Sequence, residues 1–524
     1  MSAETLQAVS LINSLMHPDQ FDPPPKKCEL IETHISWVIL AGPYAYKIKK
    51  AIDLGFLDFS TLEKRHFFCQ EELRLNRRLA PEIYLSVVPI TGSVEQPRWA
   101  GGGEPIEYAV KMRAFPQEAQ LDRALAINGL EPRQIDILAK RIADFHALAD
   151  VAAGKSNYGE PEVILQPIEE NFRQIREHVS NSTFLDKLKE LKQWSEATYT
   201  RLYPSFGQRK TDGFIRECHG DMHLQNIAWQ DDAPIVFDCI EFSPSLRWID
   251  VISDVAFLLM DLEKKKQGEL AQRFLGNYLE YTGDYAGVRL LRFYQVYRAL
   301  VRAKIDAIRA HQPGIEKAEK VNAETDFSDY LQLALGYIQP VRPRLIITRG
   351  MSASGKSTVS KVLLEHLGAI RIRSDVERKR LFGLGLEDDG HAAVGEGMYT
   401  AEATEKTYSK LEELAAVLLG AGYSVLVDAV FLHRHERQRF QALAASRETP
   451  FVILEFTADA KTLRERIVKR KNDVSDANLK VLEMQLSRWQ PLASQERGYA
   501  ITVDTTGEVD TGALAAEIKG KACF

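Results

Sequence analysis

The sequence predicts two domains of different class, an α+β domain made of two lobes followed by an α/β domain with a parallel sheet. Three observations carry that expectation. The chain has 524 residues, too many for one ordinary core. Strand-like sequence gives way to helical sequence over roughly the first 338 residues, and after Gln339-Pro340-Val341-Arg342-Pro343 strands, loops and helices alternate. The first of those later strands runs straight into a glycine-rich loop and a helix.

Composition narrows the function classes. Hydrophobic residues make up 45% and charged residues 27%, as in a soluble globular protein. A net charge of −6 argues against broad nucleic-acid binding. The five cysteines, Cys28, Cys69, Cys218, Cys239 and Cys523, have no CxxC spacing, so neither a disulfide framework nor a zinc site is expected. The N-terminus has no basic, apolar leader pattern. The most apolar stretch, Val251 to Leu262, contains Asp254 and Asp261 and is too short to span a bilayer. A cytoplasmic protein with no membrane partner is expected.

Residues 1–29 read as a short helix, Met1 to Met16, and a stiff connector at Pro23-Pro24-Pro25. A small lobe is expected over 30–115. His34 to Lys50 reads as two strands around Gly42-Pro43. A helix follows from Thr61 to Leu79, then strands at Tyr84 to Ile90 and Glu107 to Met112. A helical large lobe is expected over 116–338. Its helices include one marked by Ile135, Leu138, Ile142 and Phe145, then Phe184 to Tyr203, Trp248 to Leu262, Leu290 to Arg309 and Phe327 to Ile338. A linker at 339–343 precedes the second domain, 344–524. Its strands are Leu345 to Thr348, Ala369 to Ile372, Ser424 to Val427, Phe451 to Phe456 and Ala500 to Val503.

Chemistry concentrates in two places. The first is His219-Gly220-Asp221-Met222-His223-Leu224-Gln225-Asn226 with Asp238 beyond it. Phosphoryl transfer needs an oriented acceptor hydroxyl and a divalent metal on the phosphates. Asp221 and Asn226 have the spacing of a kinase-type catalytic loop. Asn226 opens a hairpin, Ile227 to Trp229 and Ile235 to Phe237, and Asp238 closes it. An antiparallel hairpin brings its ends together, so Asn226 and Asp238 can converge on one Mg2+ while Asp221 takes the acceptor proton. Ala45-Tyr46-Lys47-Ile48-Lys49 supplies a phosphate-binding lysine, Lys47 in preference to Lys49. The helix offers Glu71 and Glu72 to hold it, with Glu72 favoured. His219 and His223 are expected to brace the loop and to lie near the acceptor. Asp250 and Asp254 either brace that loop or face a cationic acceptor.

The HGDxHxxN run and the later Asp resemble the aminoglycoside phosphotransferase family, which is itself similar to choline kinases. The resemblance covers roughly residues 30 to 335. It implies a protein-kinase-like two-lobed fold with ATP in the cleft and a hinge near Met112 to Phe115. One departure is the lack of a GxGxxG loop over the phosphates.

The second place is Gly350-Met351-Ser352-Ala353-Ser354-Gly355-Lys356-Ser357-Thr358, a GxxxxGK[ST] P-loop between a strand and a helix. Backbone amides there cradle phosphates, Lys356 reaches the β and γ phosphates, and Ser357 ligates Mg2+. Asp375 after the second strand can deprotonate an acceptor hydroxyl, and Arg378 can bind its anionic group. Asp428 ends a strand as a candidate for the metal shell. Arg466 and Arg470 share a helix face and could close over ATP. Arg371 to Arg380 hint at an anionic acceptor, or make a solvated face paired with Glu377. Residues 344 to 524 resemble the small P-loop kinases that include gluconate kinase, chloramphenicol phosphotransferase, zeta toxins and polynucleotide kinase. The order of the two regions resembles a bacterial fusion of an aminoglycoside-phosphotransferase-like domain with a P-loop kinase or ATPase domain.

The expectation is an ATP- and Mg2+-dependent phosphotransferase with two sites, acting on small-molecule, nucleotide or RNA-end hydroxyls. A second reading keeps one domain catalytic and makes the other an ATP-sensing regulator. A third makes the chain a toxin–antitoxin-like interaction module.

Overall fold

The computed structural model describes residues 3–55, 57–386, 388, 398, 400–469 and 479–521. The chain packs as two compact units, residues 1–169 with 203–261 and residues 170–202 with 262–524.

The first unit opens with α1 (Ala3–Leu15) and a six-stranded sheet of order β1-β2-β3-β6-β4-β5. Its strands are β1 (Cys28–Glu32), β2 (Ser36–Ala41), β3 (Tyr44–Lys49), β4 (Tyr84–Gly92), β5 (Pro97–Trp99) and β6 (Pro105–Arg113). All its pairings are antiparallel. The helix α2 (Leu62–Asn76) starts where Thr61 caps the Lys64 amide. Strand alternation divides β3 between two faces. Tyr46 and Ile48 join Leu11, Ile12 and Leu15 of α1 and Phe21 in one core. Lys47 and Lys49 face α2 instead. The N-terminal helix is therefore part of the sheet's core. Strand β1 was not expected. It lies at the sheet edge with a mostly exposed burial pattern, so no apolar alternation marks it.

Next come α3 (Leu121–Asn128), α4 (Pro132–Leu148), α5 (Pro161–His178), α6 (Ser182–Thr211) and β7 (Ile215–Glu217). Helix α4 begins with a capping box between Glu131 and Gln134, and its buried face carries Ile135, Leu138, Ile142, Phe145 and His146. The expected hairpin is present as β8 (Ile227–Gln230) and β9 (Ala233–Val236). Its turn residues Asp231 and Asp232 have φ of 50° and 60°, the left-handed geometry that matches strand twist. After α7 (Pro244–Arg247), β10 (Trp248–Asp250) pairs with β7, and α8 runs over Val251–Lys264. The helix expected from Trp248 thus begins three residues later. Arg209 grips Asp250 with two hydrogen bonds, 2.5 and 2.7 Å, and Asp250 caps the Ile252 amide at 2.9 Å.

The second unit includes α9 (Gly268–Thr282), α10 (Val288–Ala310) and α11 (Lys317–Tyr337). Its five-stranded parallel sheet has the order β12-β13-β11-β14-β15. The strands are β11 (Leu345–Arg349), β12 (Ala369–Arg373), β13 (Ser424–Asp428), β14 (Phe451–Thr457) and β15 (Ala500–Asp504). The helices around them are α12 (Lys356–Leu367), α13 (Ser374–Leu381), α14 (Ala401–Gly420), α15 (Arg434–Ser446), α16 (Ala460–Lys469), α17 (Leu479–Arg488) and α18 (Thr511–Gly520). β11 is central and buried throughout, as a strand covered on both faces should be. Ile346, Leu363, Leu426, Val452, Leu454, Ile501 and Ile518 form part of one core. Helix α9 is tied to this sheet. Gln272 donates to the Ala369 carbonyl at 2.8 Å, and Arg273 pairs with Glu365 of α12 at 2.7 Å. Among the described residues, no helix is long and apolar enough to cross a membrane.

Candidate active sites

Strand β3, helix α2 and the end of the β8–β9 hairpin meet in a cluster of charges in the first unit. Lys47 Nζ lies 2.6 Å from Asp238 Oδ1 and 2.8 Å from Glu72 Oε1. Lys49 Nζ lies 2.7 Å from the other oxygen of Glu72 and also pairs with Glu241. Both lysines sit on one face because they are two residues apart in a strand. Burial pushes Glu72 up, but the two ammonium groups outweigh it and hold it at about 2. Burial lowers Lys47, and Asp238, Glu72 and Glu241 more than offset it, leaving the ammonium well above the ordinary lysine value. Glu241 moves the other way, because burial outweighs Lys49.

The residues expected to form a catalytic loop gather beside the hairpin. Asn226 Nδ2 donates to the Asp221 carbonyl and to Asp221 Oδ2, both at 3.0 Å. His223 Nε2 is 3.3 Å from the same carboxylate oxygen. Asp221 keeps 36% of its side chain exposed and Asp238 44%. Asp238 has φ of 64°, while its amide donates to the Tyr84 hydroxyl at 3.1 Å. The loop is held from behind by Asp254, whose two oxygens accept the His219 and Gly220 amides at 2.9 Å each. Asp261, one turn pair further along α8, accepts the Leu224 amide at 2.9 Å. Of the two aspartates weighed as loop braces, Asp254 braces it and Asp250 pairs with Arg209. His219 bonds the Phe237 carbonyl at 2.9 Å through Nε2, and burial holds its imidazole below the ordinary value. Gly220 has φ of +87°, and a Cβ there would sit 2.7 Å from the Leu246 carbonyl. The donors available to a metal, the Asn226 amide oxygen and the Asp238 carboxylate, are hard oxygens of the kind magnesium takes.

In the second unit the P-loop joins β11 to α12. Ala353 and Gly355 have φ of 64° and 81°. A Cβ on Gly350 would meet Ser354 Oγ at 2.6 Å and the Phe456 carbonyl at 2.9 Å. The N-terminus of the 12-residue α12 has no side-chain cap, and Ser354 Oγ is buried without a hydrogen-bond partner. Those features fit a phosphate cradle. Lys356 Nζ is 2.8 Å from both the Gly350 and Met351 carbonyls. The Ser352 amide donates to Gln485 of α17 at 2.8 Å. Asp428 ends β13 beside the start of α12, with Oδ2 3.5 Å from Ser360 Oγ. Ser357 is half-buried and Thr358 exposed. Asp375 and Arg378 lie in α13, and Arg378 donates to the Met398 carbonyl at 3.0 Å. Arg466 reaches the loop's rear, with Nη1 3.5 Å from the Ala353 carbonyl and 3.1 Å from Thr505 Oγ1. Arg470 lies outside the described residues.

The basic stretch that hinted at an anionic acceptor is largely neutralised within the unit. Arg371 and Arg373 both pair with Glu280 of α9, at 3.1 and 2.7 Å, and Arg380 pairs with Glu377.

Comparison with known proteins matches these two places to two families. The phosphotransferase enzyme family model matches residues 69–291, and an AAA domain model matches residues 345–492. An uncharacterized protein of Mycobacterium tuberculosis (strain H37Rv) is 30% identical over 476 residues, 91% of this chain and 92% of that protein. The chain belongs to the same two-region family. This chain joins a phosphotransferase region to a P-loop kinase region, a pairing that indicates phosphotransfer activity. Among solved structures, amicoumacin kinase in complex with AMP-PNP, Ca2+ and amicoumacin is 11% identical, with a TM-score of 0.40 over 63% of this chain and 96% of that one. A sugar kinase from Janibacter sp. HTCC2649 is 20% identical, with a TM-score of 0.28 over 34% of this chain and 96% of that one.

Several residues around the two sites carried no sequence signal. Glu241 lies 192 positions from its partner Lys49, and Asp261 lies 37 positions from the amide it accepts. Gln485 and Glu280 sit in ordinary amphipathic helices. Asp254 was one of two candidates, with Asp250, because the two lie one helical turn apart in the stretch after the motif.

Proposed function

We propose that the chain is an ATP- and Mg2+-dependent phosphotransferase with two active sites, each delivering the γ-phosphate to an acceptor hydroxyl. The observation that supports it most is the single cluster in which Lys47 bridges Glu72 and Asp238. At the first site Lys47 is the cation for the phosphates, kept extended by Glu72. Asn226 and Asp238 would hold Mg2+, which when bound neutralises phosphate charge. Asp221, oriented by Asn226, holds the acceptor hydroxyl and receives its proton.

At the second site the loop amides and Lys356 bind phosphates, and Ser357 and Asp428 would hold the metal. Asp375 serves as the acceptor's base. Because Arg371 and Arg373 are paired with Glu280, recognition of an anionic acceptor falls to Arg378. Arg466 and Arg470 are assigned to the nucleotide. Acceptors are small molecules or nucleotide-type ends with a hydroxyl.

The test uses the full chain, γ-labelled ATP and an acceptor screen, with Asp221→Ala and Lys356→Ala singly and combined. Each single variant removes labelling of one acceptor set by about 100-fold or more, and the double variant removes both. Undiminished phosphate transfer by the double variant sinks the proposal. A second reading, a P-loop region that senses ATP without transferring it, draws support from Gln485, which occupies the Ser352 amide. Under it, Lys356→Ala changes the Asp221-dependent rate and erases no labelled product.

A further inference from the structure

Glu280 lies in α9, inside the span matched by the phosphotransferase family, yet its carboxylate faces the P-loop region. Its Oε2 accepts from Arg371 at 3.1 Å and its Oε1 from Arg373 at 2.7 Å. Its carbonyl accepts from Arg380 at 2.7 Å. Arg371 and Arg373 are 7% and 9% exposed, so neither can discharge its charge into water. The other end of Arg371 reaches the nucleotide machinery. Its Nη1 donates to the Ser357 carbonyl at 3.1 Å and stands 4.0 Å from Asp428 Oδ2. Arg373 pairs in register with Asp428 across β12 and β13.

We infer that Glu280 is a positioning residue of the P-loop site, holding Arg371 short of Asp428 so that this carboxylate stays available to a divalent cation. The inference rests on the P-loop reading proposed above. Asp428 is a single carboxylate between two arginines. Without a competing anion, a buried guanidinium 4.0 Å away would close on it and form an ion pair. A cation would then have to displace that pair before it could bind. Glu280 supplies the competing anion, with one oxygen for each arginine. The helix bearing it is anchored by Gln272 and Arg273, so the carboxylate has a fixed reach. Burial raises the Glu280 carboxyl, and Arg371 and Arg373 outweigh it, so Glu280 stays charged. The acidic groups around the arginine pair are Glu280, Asp428 and Asp375, from α9, β13 and α13.

The test reads metal binding directly. In the full chain carrying Asp238→Ala to silence the first site, Mn2+ binding in the presence of ADP is followed by electron paramagnetic resonance. Glu280→Gln, which keeps shape and loses charge, is expected to weaken Mn2+ about tenfold, the usual cost of losing an outer-sphere partner. Adding Arg371→Gln to it restores most of the affinity, a strongly non-additive pair. Arg371→Gln alone leaves Mn2+ binding unweakened, because the competing cation is gone. Undiminished Mn2+ affinity in a folded Glu280→Gln chain overturns the inference, as does weakened Mn2+ in Arg371→Gln alone. Lys356→Ala in the same background should abolish the ADP-dependent part of Mn2+ binding, which Asp238→Ala has already confined to the P-loop site. If it does not, the P-loop reading itself fails and this inference falls with it.

Discussion

Two lysines on one strand share one glutamate, and their exposures separate their duties. Lys47 retains 11% side-chain exposure and reaches the exposed Asp238, whereas Lys49 is fully buried between Glu72 and Glu241. Lys49→Met leaves two buried carboxylates short of a cation and should cost about 3–5 kcal/mol, read as a lower urea midpoint. Lys47→Met should instead raise the KM for ATP at the first site with a smaller stability loss. If Lys49→Met alone raises the KM and leaves stability intact, the roles are reversed. Gly220→Ala tests the loop behind Asp221. A Cβ 2.7 Å from a carbonyl at φ +87° has no room, so Asp221-dependent transfer should collapse while the P-loop products persist.

At the scale of elements, α8, α10 and α11 bring one half-buried acid together with two partners. Tyr337 donates to Glu263, and Gln295 Nε2 donates to it at 3.2 Å. Burial raises Glu263 to about 7, more than the Tyr337 hydrogen bond lowers it. The native state therefore binds this proton more tightly than the unfolded chain does. Stability is highest with the proton on and declines as pH rises from the ordinary carboxylate range through about 7. Glu263→Gln removes that decline, a difference of up to roughly 3 kcal/mol between acidic and mildly alkaline urea titrations. An unchanged slope would show that water reaches the carboxylate. The β8–β9 turn offers a gain: Asp232→Gly, at φ 60°, should stabilise by about 0.5–1 kcal/mol, seen in the same titration.

These elements also mark what local pattern can reveal. The five parallel strands, the hairpin and α2 were legible because alternation, turn residues and helical periodicity act within a few positions. Trp248 to Asp250 looked helical, but three residues cannot express a period, and pairing with β7 together with Arg209 decided their state. Asp221, Asn226 and Asp238 were legible because a motif's spacing orders them, and Lys47 and Glu72 because a strand and a helix of the small lobe carry them. Lys49–Glu241 and Glu280 with its arginines were not, since ion pairs across 192 and 91 positions leave no local trace.

For the whole molecule, packing and family boundaries differ. The phosphotransferase match runs to residue 291, whereas the second compact unit takes up the chain again at Leu262. A fragment of residues 344–524 lacks Glu280 and leaves Arg371 and Arg373 buried without it. It should melt at a lower temperature and aggregate more than a fragment of residues 262–524, as light scattering during a thermal ramp would register. Equal melting of the two would mean that α9 contributes little.

The distribution of thiols gives the molecule a built-in clock. Among the described residues, the cysteines are Cys28, Cys69, Cys218 and Cys239, all unbridged and all in the first unit. Cys69, Cys218 and Cys239 are buried, with Cys69 and Cys239 pushed up to about 12 by burial, whereas Cys28 is partly open. A thiol reagent should therefore modify Cys28 promptly and wait on Cys69, Cys218 and Cys239 until the first unit opens. Their modification rate times the opening of that unit alone, even while the second unit stays folded.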